Sequence, residues 1–306
     1  MSGAAPHTVW AVAALLLNAF VWGLSWWPFK QLETQGLHPL WATAVVYGLS
    51  FVVIALWCKA SRWPGGAWRA HPGLWLLLIA SGMTNVGFNW AVTIGDVVRV
   101  VLLFYLMPAW SVLVAWWLLG ERPTAGALLR LLLALAGLVI VLQRPGTPWP
   151  VPESLADVLA LLGGLSFALT NALLLKLRGT PESSRMLAMF AGGALMAALT
   201  AVLGSGSAAI QQTALWNPDW VWPVLALSLA FLGGNLALQY GAARLAAHTT
   251  ALVMLSEVVF ASVSSVILDA SDWDMRTLLG GALILLAALL SVWMPARQAE
   301  THRSKP

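Results

Sequence analysis

Ten apolar stretches, each long enough to cross a bilayer, fill this chain, and they fall into two sets of five. They cover residues 9–29, 39–57, 72–94, 97–119 and 124–142, then 154–175, 184–203, 220–240, 248–268 and 275–293. A hydrocarbon core about 30 Å thick is crossed by about 20 helical residues rising about 1.5 Å each. Lipid leaves no partner for an open backbone, and the runs show no period-2 alternation, so the expected fold is all-α rather than a barrel. Five is an odd number. A five-helix unit that starts on one side of a membrane ends on the other, so the second set must run upside down relative to the first.

Composition agrees. Of 306 residues, 60% are hydrophobic and only 9% charged, against about 25% charged in soluble domains. The expected class is therefore a polytopic membrane protein with no soluble domain. The polar breaks are longest at residues 143–153 and 204–219. The first separates two halves, residues 1–146 and 147–306. Inverted repeats are the architecture of many secondary transporters, whose substrate site lies between the halves near the bilayer midplane.

Orientation follows from Lys and Arg. With the N-terminus in the cytoplasm, Lys59, Arg62, Arg69, Arg122, Arg130, Lys176, Arg178, Arg185, Arg244, Arg297, Arg303 and Lys305 lie inside, and Lys30, Arg99, Arg144 and Arg276 outside. The ratio, 12 to 4, selects this orientation and places both termini inside. Trp10, Trp41, Trp57, Trp116, Trp220, Trp222 and Trp293 lie near expected helix ends and read as an interfacial belt.

Several chemistries find no support. The net charge of +4 is spread between apolar runs and forms no nucleic-acid patch. Cys58 is the only cysteine, so no intrachain disulfide is expected. His7, His38, His71, His248 and His302 lack metal spacing. No phosphate loop or nucleophile elbow occurs. No cofactor is expected, and an integral-membrane enzyme is the weaker rival to a carrier.

The halves echo one another. Lys30 ends segment 1 and Lys176 ends segment 6. At a constant spacing of 150 residues, Asn85 matches Asn235, Asn89 matches Gln239, Trp90 matches Tyr240 and Met107 matches Glu257. Trp22-Gly23 followed by Lys30, then Leu106-Met107-Pro108 running through Trp116-Trp117-Leu118-Leu119-Gly120-Glu121-Arg122, resembles the EamA-type members of the drug/metabolite transporter superfamily. Among these the chain is most similar to YddG-like aromatic amino-acid exporters. The resemblance covers residues 9–294 and departs in the second half, where Val258 stands in place of Pro108 and residues 269–274 replace the Gly-Glu turn. It implies export of aromatic and other neutral amino acids across a bacterial inner membrane. Another metabolite or a lipophilic drug remains an alternative substrate.

Candidate site residues are polar or aromatic groups that lipid would reject. Glu257 is the one acidic residue placed mid-membrane, on a face with Thr250, Met254, Ala261 and Ser264. A charge there is costly and suggests a partner for a substrate ammonium, or a proton site. Segment 1 places Asn18, Trp22 and Trp26 together; segment 3 places Ser81, Asn85 and Asn89; segment 8 places Ser228, Asn235 and Gln239. These faces should point inward, to a helix contact or a cavity wall. Tyr47, Trp110 and Asn171 join them, with aromatic rings available for stacking. Segments 1, 3, 4, 6, 8 and 9 should surround the cavity, with 2 and 7 as gates and 5 and 10 as braces. Small-residue stripes in segments 7 and 10 suit close packing, and those of 5 and 10 suit a homodimer contact. Pro28 and Pro108 should kink or interrupt segments 1 and 4.

Overall fold

The computed structural model describes residues 6–61, 65–119, 125–143, 151–204, 217–242, 253–254, 256–270 and 274–293. Every regular element among them is helical. Segment 1 forms α1 (Pro6–Leu24) and α2 (Trp26–Thr34), and segment 2 forms α3 (Pro39–Ser61). A short α4 (Gly65–Ala70) precedes segment 3, which is α5 (Gly73–Ile94). Segment 4 is α6 (Val97–Phe104) and α7 (Met107–Val114), and segment 5 is α8 (Ala125–Leu142). Segments 6 to 10 are α9 (Leu155–Lys176), α10 (Glu182–Leu203), α11 (Val221–Ala242), α12 (Ser256–Ile267) and α13 (Met275–Trp293). Among the described residues, 7 helical stretches are long and apolar enough to cross a membrane, and three shorter apolar helices accompany them. The protein is an all-α polytopic membrane protein.

Two segments are broken, each just before a proline. Pro28 has no N–H to reach the Leu24 carbonyl, and α1 stops at Leu24. The Ser25 hydroxyl turns back onto the Trp22 carbonyl at 2.8 Å. Pro108 likewise leaves the Phe104 carbonyl without its helical donor, and α6 stops at Phe104. Tyr105 and Leu106 form the turn between α6 and α7.

Segment 1 then runs to Thr34 and ends on Gly36, at φ 90°. There the Leu37 N–H bonds the Leu32 carbonyl at 2.9 Å and the Gly36 N–H bonds that of Glu33 at 2.9 Å. Leu32 and Leu37 are both buried, so polar closure and apolar contact coincide.

Close helix contacts use small residues, as expected. Gly192 of α10 lies against the Leu78 backbone of α5, and Gly193 against the ring of Tyr47. α5 packs on α9 and α10, α1 on α11 and α12, α3 on α10 and α11, α9 on α6 and α7, and α8 on α13. The α8–α13 pair is antiparallel: Gly137 lies against Gly280 and Ile284, and Gly280 against Val141. Gly280 and Gly281 of α13 thus pack inside the chain, with Gly281 against Leu102 of α6. α3 and α10 also run antiparallel. Gly48 meets Ala194, Leu40 clusters with Ala197 and Ala201, and Ile54 and Cys58 cluster with Met186 and Leu187.

The tryptophan belt is mostly outward. Trp10, Trp57, Trp116 and Trp222 are exposed, as interfacial anchors require. Trp220 is a correction. It is buried, and its indole N–H donates to the Gln35 carbonyl at 3.4 Å, so it pins the start of α11 to the end of segment 1. Trp293 lies in α13, but its side chain is outside the described residues.

Candidate functional site

Segments 1 and 4 both pack on segment 9, each close to its break. Gly23 makes this possible. A Cβ there would lie 2.7 Å from Cβ of Phe260 and 2.9 Å from the Glu257 carbonyl, so a larger residue would push α1 away from α12. Met254, Ala261 and Ser264 of segment 9 face segment 1. Met254 reaches Asn18, Ala261 sits under Gly23, and the Ser264 hydroxyl accepts the Trp26 indole N–H at 3.0 Å. Thr250 lies outside the described residues.

Glu257 is buried at this junction. The Tyr105 hydroxyl donates to its Oε2 at 2.9 Å, and the Met254 carbonyl is a second acceptor for the same hydroxyl at 3.2 Å. Tyr105 belongs to the turn between α6 and α7, so the break in segment 4 presents its hydroxyl to segment 9. Asn18 is fully buried beside it. Its amide donates to Sδ of Met254 at 3.4 Å, a weak acceptor, and its Oδ1 has no partner among the described residues. A buried amide oxygen left unbonded is unusual and marks a place that a donor would stabilise.

A second polar group lies between segments 2 and 3. The Tyr47 hydroxyl donates to Oδ1 of Asn85 at 2.5 Å, and the Asn85 amide donates to the Ser81 carbonyl at 2.8 Å. The Asn89 amide donates to Oγ1 of Thr43 at 3.2 Å. Aromatic rings join the two groups. Tyr47 contacts Phe231, which stacks on Trp22 at 4.8 Å, and Trp22 meets Phe88 edge-on at 6.0 Å. Phe88 leads to Phe104 at 4.8 Å and thence to Tyr105 at 6.2 Å.

Other expected residues stand apart. Trp110 has a buried indole N–H with no partner among the described residues. Asn171 is exposed, with its amide 3.7 Å from Sδ of Met107. Asn235 is partly exposed, and the Gln239 side chain lies outside the described residues. His248 lies outside them as well.

Tyr105 and Met254 complete the Glu257 group: Met254 is on the expected face, and the contact with Tyr105 comes from the fold. The ion pair of Arg99 with Asp157 is not expected from the sequence. The guanidinium binds the carboxylate through two bonds, of 2.8 and 2.9 Å, and both residues are buried.

Comparison with curated proteins finds no match. Fifteen chains of solved structure match. One, a crystal structure of a protein 20% identical to this chain, has a TM-score of 0.57 over 93% of this chain and 96% of the other. At that identity the likeness is one of fold. Residues 9–143, which carry segments 1 to 5, match the EamA-like transporter family, so the first half of this membrane protein is similar to membrane transporters of the drug/metabolite type.

Proposed function

We propose that this protein is a secondary transporter that exports aromatic and other neutral amino acids across a bacterial inner membrane by alternating access. The observation that carries this reading is the Asn18–Tyr105–Glu257 group at the junction of segments 1, 4 and 9. It offers a carboxylate and an unpartnered amide oxygen, two acceptors for the three donors of an ammonium. The rings of Trp22, Phe88 and Phe231 lie on the adjoining face and suit an aromatic side chain. Broken helices lining such a junction are how transporters place polar backbone and side chains at membrane depth.

Two inverted halves, residues 1–146 and 147–306, are part of the proposal. Helix packing supports it. Exchanging each segment with the one five places along turns the α5–α9 contact into α11–α1, α5–α10 into α11–α3, and α6–α9 into α12–α1, all of which occur. Residue types follow. Asn18 meets Met254 between segments 1 and 9, and Asn171 meets Met107 between segments 6 and 4. The antiparallel pairs α3–α10 and α8–α13 are what an inverted relation between the halves requires. With 12 of 16 Lys and Arg on one side, both termini are cytoplasmic.

A second reading of the same carboxylate rests on the two acceptors within reach of the Tyr105 hydroxyl. When Glu257 is ionised, the phenol donates to Oε2. When Glu257 takes a proton, its O–H donates to the phenol oxygen and the phenol donates to the Met254 carbonyl. One site would then accommodate either a proton or an ammonium.

Uptake into proteoliposomes tests the proposal. Labelled phenylalanine should exchange against internal phenylalanine, and 3-phenylpropionate, which lacks the ammonium, should neither compete nor exchange. Equal handling of both compounds, or no flux of either, would defeat the amino-acid assignment.

A further inference from the structure

Arg99 and Asp157 form the one ion pair found among the described residues, and it joins the starts of two helices. Arg99 lies in the first turn of α6, and Asp157 in the first turn of α9. The Arg99 guanidinium also donates to the Val141 carbonyl, near the end of α8. Asp157 accepts the Glu153 N–H at 3.2 Å, and its own N–H bonds Oγ of Ser154 at 3.1 Å. The pair thus ties segment 4 to segments 5 and 6 and to the end of the linker between the halves. In the proposed orientation this is the outer surface.

From this placement we infer that Arg99–Asp157 is a reversible latch that closes the outer end of the pathway and breaks each time the carrier opens outward. The inference rests on the carrier reading and orientation above.

The chemistry suits a latch better than a brace. Attraction within a buried ion pair is largely offset by loss of hydration, so the closed pair is specific in geometry but close to balanced in free energy. At an outer mouth both charges regain water on opening, which leaves the two states comparable. A well-packed apolar pair would hold the same surfaces shut, because opening it would expose apolar area with nothing regained.

The matching positions of the other half carry no such pair of charges. The residue 150 places after Arg99 is the uncharged Thr249, and Ala11 stands to Asp157 as Lys30 stands to Lys176. The latch would therefore act on the outer end alone. It also holds α6, whose far end is the Tyr105 turn that binds Glu257. Breaking it frees the half-helix that carries the site's hydroxyl.

The test reads accessibility and needs no substrate. In a Cys58→Ala background, Val100→Cys places a thiol in α6 at a residue buried beside the latch. Labelling of right-side-out vesicles with a membrane-impermeant maleimide should be slow. Adding Asp157→Asn leaves the guanidinium without its counter-charge and should raise the labelling rate about tenfold, the response of a closed state that loses its compensation. The exchange Arg99→Asp with Asp157→Arg should bring the rate back toward the parent value. The double change Arg99→Met with Asp157→Leu should express well, label more slowly than the parent, and turn over more slowly in any flux assay the protein supports. This apolar variant keeps the inference falsifiable if Asp157→Asn fails to fold. Unchanged labelling in the Asn variant, or parent-like labelling and turnover in the apolar variant, overturns the latch in favour of a static brace. Shifted labelling without phenylalanine flux would uphold the latch and reject the substrate. A gain seen in inside-out vesicles alone would uphold it and reverse the orientation.

Discussion

Two buried polar groups in this protein are bonded in opposite ways. Around Arg99 and Asp157 the two charges meet at 2.8 and 2.9 Å, and the surrounding backbone supplies further partners. Around Asn18 and Glu257, among the described residues, one amide oxygen has no partner, its nitrogen meets only a thioether, and one hydroxyl serves two acceptors. The first group is complete without a ligand. The second leaves acceptor capacity unused among the described residues, which is the property the proposed ammonium site relies on. The Tyr47–Asn85 pair resembles the first group: its short hydrogen bond and the Ser81 carbonyl fix the amide at both ends.

The largest effect should come from forcing the junction apart. Gly23→Val would place side-chain atoms against Phe260 and the Glu257 backbone. Overpacking of this kind costs about 1–3 kcal/mol, and it would also separate Asn18 from Met254. Flux should be lost along with thermal stability in detergent. A variant that transports normally would remove the junction from the account.

Next in size is a contrast between two asparagines of the same composition and opposite bonding. Asn85→Leu leaves the Tyr47 hydroxyl buried without its acceptor, which costs about 1–3 kcal/mol. Its melting temperature and membrane yield should fall. Asn18→Leu removes a weak bond to sulfur and an oxygen with no partner among the described residues, so the melting temperature should move little while flux falls sharply. If both variants lose stability and flux in equal proportion, the distinction between complete and incomplete groups fails.

A smaller effect is expected at His38, between segments 1 and 2. Its Nδ1 accepts the Leu40 N–H at 3.2 Å, and burial holds its imidazole below the usual histidine range. The unfolded chain therefore binds more protons than the folded one through that range, so stability is fully present above the unfolded value and declines as pH falls toward the lowered folded one. Melting curves should show a modest loss from neutral to mildly acid pH, and His38→Gln should flatten it.

Much of this comparison was legible in the residue order, and the omissions share a cause. Apolar runs fixed by bilayer thickness give the helices directly. Pro28 and Pro108 give the two breaks, because a missing N–H acts locally. Glu257 stands out as a carboxylate within an apolar run. Its partner does not, since Tyr105 lies 152 residues away and an aromatic in a membrane helix reads as packing. Arg99 and Asp157, 58 residues apart, each occur at a helix end, where a charge is expected to meet water rather than another charge. Trp220 misleads for the same reason: a helix-end tryptophan suits the interface, and only the fold shows that the end of segment 1 covers it.

The most direct test of the central claim is phenylalanine exchange by the Glu257→Gln variant in proteoliposomes, measured across pH beside the parent. The amide keeps the shape and can still accept from Tyr105, but it carries no charge for an ammonium. The account predicts a correctly folded protein whose exchange falls about tenfold or more, equivalent to about 1.4 kcal/mol of lost binding. If the carboxylate is instead the proton site, exchange persists and its pH dependence disappears. Parent-like exchange with parent-like pH dependence would contradict both readings and leave Glu257 a structural partner of Tyr105.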